Sequence, residues 1–83
     1  MTLTLPTIHL NGTSKEQITE ALCDAYSAIN DALSKLKQTA PNGRDYYPQG
    51  SEALSNATNE HFSRMQRLTS VMQELEQIAE ALG

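Results

Sequence analysis

The chain has 83 residues, 39% of them hydrophobic, no Trp and a net charge of −4 at pH 7. That length allows one domain with a small private core, so burial within an oligomer is the expected remedy. The acidic balance excludes duplex nucleic acid as a partner, because neutralised phosphates supply most of that affinity, and no apolar run approaches the roughly 20 residues that span a bilayer.

Residues 1–12 read as an extended arm. Leu3, Leu5, Ile8 and Leu10 alternate, with a phase shift at Pro6, which fits an arm or a short edge strand because Pro donates nothing to a ladder. Asn11-Gly12 signals a turn. A helix then spans 13–40, opened by a capping box of either Thr13 with Glu16 or Ser14 with Gln17. Its stripe runs Ile18, Leu22, Tyr26, Ile29, Leu33, Leu36 and Ala40, and Ala21, Ala25, Ala28 and Ala32 run beside it, small enough to admit a neighbouring helix. Pro41 ends this helix by restricting the residue before it, and Gly43 supplies freedom for a positive φ.

Residues 41–50 form a loop, Pro41-Asn42-Gly43-Arg44-Asp45-Tyr46-Tyr47-Pro48-Gln49-Gly50. It holds two of the three tyrosines and two of the three prolines, more chemistry than a connector of 2–8 residues needs. The second helix spans 51–82, with Ser51 as N-cap and Glu52 near the positive end of the dipole. Its seam is Leu54, Thr58, His61, Met65, Leu68, Met72, Leu75, Ala79 and Leu82, widened by Val71 and Ile78.

Two polar residues interrupt that seam, Thr58 and His61, both close to the loop. In an antiparallel hairpin turning near residue 46, His61 lies level with Ile29–Asn30 and Met65 with Tyr26, so Asn30 and Tyr26 are candidates to face the polar stretch. His61 is then either a satisfied core histidine or, with Arg64, part of a polar pocket at the loop end. The loop has the same two readings. Tyr46 and Tyr47 either cover the helix ends or stack on a planar ligand, while Arg44 either pairs with Asp45 or offers its fork to an anion.

Charge favours an anion at that end. From Lys35 to Arg67 five basic residues face three acidic ones, a local sum of +2, whereas the remainder sums to −6. Catalysis is not expected. His9, Cys23 and His61 have no metal-ligand spacing, no phosphate-binding glycine loop is present, and Glu74 and Glu76 sit on opposite sides of a helix. Cys23 is the single cysteine, so no internal disulfide forms. With no secretory signal pattern, the expected location is a reducing cytoplasm.

Three segments, His9-Leu10-Asn11-Gly12-Thr13-Ser14, the loop from Pro41 to Gly50, and Glu60-His61-Phe62-Ser63-Arg64, together resemble a group of small proteins from phages and prophages. Asn-Gly-Arg-Asp-Tyr-Tyr-Pro is the most specific piece. The architecture also resembles phage anti-defence sponges, helical-hairpin oligomers that sequester CBASS or Thoeris nucleotide signals without cleaving them. The Arg-Trp and Arg-Ala-Val motifs of those sponges are missing here. The resemblance implies a host-cell cytoplasm.

The expectation is therefore a single all-α domain over 1–83, a two-helix antiparallel hairpin with an extended N-terminal arm, assembling into a homo-oligomeric helical bundle. It binds a small anionic, nucleotide-like ligand without catalysis, metal or cofactor. Arg44 and Arg64 hold the anion, Tyr46 and Tyr47 wall the planar part, and His61, Asp45 and Asn42 read polar edges. Asn11 and Thr13, about 40 Å away by helix length, either join the site from another subunit or mark a separate one. The alternative is a protein-protein interaction module that grips a host or phage protein through the tyrosine loop.

Overall fold

The computed structural model of the chain describes residues 3–83. Helix α1 spans Lys15–Lys37, a one-turn helix α2 spans Gly43–Tyr46, a 3₁₀ turn follows at Tyr47–Gln49, and helix α3 spans Ala53–Leu82. No strand occurs among the described residues. The molecule is elongated, 62 × 25 × 17 Å, and among the described residues no helix is long and apolar enough to cross a membrane.

Ser14 resolves the choice of cap. Its hydroxyl accepts from the Gln17 backbone N–H at 3.1 Å, and Gln17 Oε1 accepts from the Ser14 N–H at 3.4 Å. Two donors that the first turn leaves free are thereby satisfied, and the helix starts two residues later than the spacing suggested. Its end also comes early, at Lys37 and not at Ala40. From there the ladder tightens to i→i−3 bonds, Gln38 N–H to Lys35, Thr39 to Leu36 and Ala40 to Lys37, at 3.0, 2.9 and 3.3 Å. The Thr39 hydroxyl donates to the same Leu36 carbonyl at 2.7 Å. A short polar side chain competing for backbone acceptors unwinds the last turn before Pro41 is reached.

The arm forms no strand. Met1 and Thr2 lie outside the described residues. From Leu3 to His9 the backbone is irregular, and Leu5, Ile8 and Leu10 are exposed. Alternation alone makes no sheet when the chain offers no second strand to pair with. The Asn11-Gly12 turn is present, closed by the Gly12 N–H on the His9 carbonyl at 3.1 Å.

The long helices α1 and α3 pack against each other. Leu22, Cys23 and Tyr26 share a groove with Leu75, Glu76 and Ala79, and Leu36 shares one with Arg64, Arg67 and Leu68. This register corrects the expected one. Tyr26 lies beside Leu75 and not Met65, and His61 falls level with the stretch after α1, not with Ile29–Asn30. Residues 38–52, which link the two long helices, are not a flat turn. Both α2 and the 3₁₀ turn touch α3, and Gly43 lies against Leu54, whose Cδ2 would be 3.6 Å from an added Cβ.

Burial is shallow. Among the described residues only Ala57, His61 and Met72 are buried. Ile18, Leu22, Ile29, Leu33 and Leu36 on α1, and Met65, Leu68, Leu75, Ile78 and Leu82 on α3, are half-buried. Leu54 and Tyr26, placed in the seam by spacing, are exposed. Ala57 and His61 lie on α3 between Leu54, which meets Gly43 of α2, and the Arg64–Leu68 stretch that shares a groove with Leu36.

Candidate functional site

The loop is built around Asn42. Its backbone is extended and its side chain caps α2, with Oδ1 accepting from the Arg44 N–H at 2.9 Å and from Arg44 Nε at 3.4 Å. The Asp45 N–H donates to the Asn42 carbonyl at 3.0 Å. Asn is among the preferred caps because its short acceptor reaches the free donors of the first turn. Arg44 is therefore drawn back over its own cap, leaving the terminal nitrogens of its guanidinium as the free part of the fork.

One helical turn later Pro48 lacks the N–H that would extend α2, and the chain tightens into the 3₁₀ turn, closed by the Gly50 N–H on the Tyr47 carbonyl at 3.3 Å. Gly50 has φ 111°, where Gly43, expected to supply the positive φ, has none. Gly43 instead begins α2. The predicted cap at Ser51 is replaced by Glu52, which makes no side-chain cap bond. The Ala53 N–H donates instead to the Gly50 carbonyl at 3.4 Å, so the turn around Gly50 leads directly into α3.

These constraints separate the two tyrosines. Tyr46 is half-buried, whereas Tyr47 is 77% exposed. Arg44 and Asp45 are both exposed and form no ion pair with each other. Arg64 instead meets Glu60, one turn earlier, at 4.0 Å with both side chains in solvent, a geometry that contributes little.

His61 is 6% exposed. It makes no hydrogen bond with a described residue, and no buried side-chain nitrogen or oxygen among the described residues lacks a partner, so its ring nitrogens keep contact with solvent. Its packing is that of an apolar ring at a seam position. His61→Leu is accordingly expected to raise the melting temperature by about 5 °C, from about 1 kcal/mol of added apolar burial. A fall on thermal unfolding would show that the imidazole holds the loop through a polar contact.

Asn11 and Thr13 precede α1 and are exposed. The 23 residues of α1 put about 35 Å between them and the loop, so within one chain they do not reach it. Of the nominated residues only Arg64 lines one of the surface grooves described above. That groove, about 390 Å³, adds Arg67, Leu36 and Leu68, which the motif reading passed over. The signal for Arg67 was in the sequence, since it follows Arg64 by three residues and so lies on an adjacent flank of α3. Comparison of the chain with protein-family models, with curated proteins and with solved structures finds no match in any of the three.

Proposed function

We propose that this chain is a non-enzymatic binding module, an antiparallel helical hairpin that works as a homo-oligomer in the cytoplasm and offers its loop end to a partner protein. The separation of the tyrosines carries this reading. Tyr46 is half-buried, α2 is capped and the 3₁₀ turn is closed, so Tyr47 is held out on an ordered support beside Arg44. Exposed aromatics and arginines on rigid supports are the side chains that anchor protein interfaces. Tyr47→Ala is expected to leave thermal stability within about 0.5 kcal/mol of the parent. The same substitution is expected to weaken capture of a stoichiometric partner by tenfold or more, measured by pull-down with quantitative mass spectrometry. Equal recovery by both proteins would remove Tyr47 from the interface.

A second reading is favoured by the groove that sets Arg64 and Arg67 over Leu36 and Leu68. Two guanidinium groups above an apolar floor suit a small anion with a planar part. In this reading the oligomer is a sponge for a nucleotide-type immune signal bound at this groove. Calorimetry with cyclic dinucleotides and ADP-ribose derivatives decides it. Heat that disappears in Arg64→Ala supports the sponge, and no heat with any member removes it.

A further inference from the structure

One broad face of the α1–α3 pair is left without cover. On α3, Val71 and Ile78 lie beside the seam residues Leu75 and Leu82 at three- and four-residue steps, Val71 exposed and the other three half-buried, so the edge of the seam runs out onto this face. On α1, Ala21, Ala25, Ala28 and Ala32 recur in the same way and are all exposed. Both stripes trail their own helix's seam in the same rotational sense. In two helices running in opposite directions, that places them on the same side of the pair.

We propose that this face packs on the same face of a second copy, the two copies lying antiparallel, so that the loop end of each meets the terminal end of the other. The proposal rests on the self-association reading above and supplies its geometry, a two-fold symmetric four-helix unit.

Surface area leaves room for it. The chain exposes 6361 Å², whereas a compact monomer of its mass would expose about 4,900 Å². The excess is roughly 1,500 Å², part of it on the exposed arm before α1, against the roughly 800 Å² that each partner contributes to a stable interface. Four alanines in register let the backbones approach closely, and the Val-Leu-Ile-Leu flank supplies side chains to fill the gap.

Charge sets the direction. Residues 35–67 carry a net +2 and the rest of the chain −6. In the loop half Lys35, Arg64 and Arg67 outnumber Glu60, which meets Arg64 at 4.0 Å, and Asp31, which precedes Ala32 as Glu20 and Asp24 precede Ala21 and Ala25 in the terminal half. The loop half of this face is therefore net positive and the terminal half net negative. An antiparallel pair sets the positive half of each copy against the negative half of the other. A parallel pair opposes like charges along its whole length, which is costly at an interface.

Sedimentation equilibrium of the full chain is the first measurement, and a dimer or a multiple of it is expected. Direction comes from spin labels on Gln49→Cys in a Cys23→Ser background. Loop ends held apart by the length of α3 give a separation on the order of 45 Å or more, whereas a parallel pair gives less than about the 25 Å width of one copy. Ala28→Glu, a helix-compatible change in the stripe, is expected to weaken association at least tenfold with unchanged far-UV circular dichroism. Arg64→Glu with Arg67→Glu weakens it too, and adding Glu20→Lys and Asp24→Lys to the same chain restores it. A parent chain that stays monomeric overturns both the proposal and the self-association reading. Association that shows the short label distance, or is indifferent to Ala28→Glu, overturns this interface alone.

Discussion

Met72→Ala is expected to remove about 3 kcal/mol of stability, the largest loss from any single truncation in the chain. Met72 is 7% exposed and is the one large apolar side chain among the described residues that is buried. Ala57 is already small and His61 is polar, so no neighbour in the buried set duplicates its volume. A domain of this size holds roughly 4–12 kcal/mol in total, and the truncated protein should be partly unfolded at physiological temperature. Urea unfolding followed by circular dichroism measures the effect as a lower midpoint at constant slope. Met65→Ala, at a half-buried seam position, is the internal standard and should cost about half as much, in proportion to the area it withdraws from water. A larger loss at Met65 than at Met72 would place the core at the loop end of the pair.

Gly50→Ala is the second large effect, a loss of about 2 kcal/mol. At φ 111° and ψ 171° Gly50 occupies backbone space that L-residues enter only under strain. Steric crowding plays no part, since nothing lies within 4 Å of an added Cβ. The strain falls on a junction, because Gly50 donates to Tyr47 and accepts from Ala53 and so joins the 3₁₀ turn to α3. Gly43→Ala supplies the contrast. Gly43 lies within α2 and an added methyl would meet Leu54 at an ordinary 3.6 Å. That change should be neutral or stabilising by up to about 0.5–1 kcal/mol, as an alanine in a helix is. Opposite signs in thermal melts of the two variants are the expected result, and a common sign would reject the conformational explanation.

The helices were legible because their apolar residues recur at three and four steps, and the recurrence at Ile18, Leu22, Ile29, Leu33 and Leu36 survives as the half-buried face of α1. Their ends were less legible. Thr13 and Ser14 offer equivalent hydroxyls, and only the Gln17 side chain returning to the Ser14 N–H separates them. At the other end Thr39 captures the Leu36 carbonyl, a competition between side chain and backbone that apolar spacing does not register. The register erred by assuming that a loop is a point. Asn42 and Pro48 fold residues 42–49 into two short turns packed on α3. For the candidate site, the sequence exposed the residue types but not their employment. Asn42 caps α2, an employment its residue type alone did not single out, and two adjacent tyrosines with equal chemistry end in unequal environments.

The placement of the loop also orders events during folding. Leu36 shares its groove with Arg64 and Leu68, closer in sequence than Leu22 and Tyr26 are to Leu75 and Ala79, so the entropy of joining the two long helices is spent there once, on a segment of about 30 residues, and grows only slowly with its length. Each later contact, ending with Leu22 and Tyr26 against Leu75 and Ala79, adds little further closure cost. The chain should therefore zip from the loop toward its termini, and substitutions near Leu36 and Leu68 should slow refolding while those near Leu22 and Ala79 mainly speed unfolding.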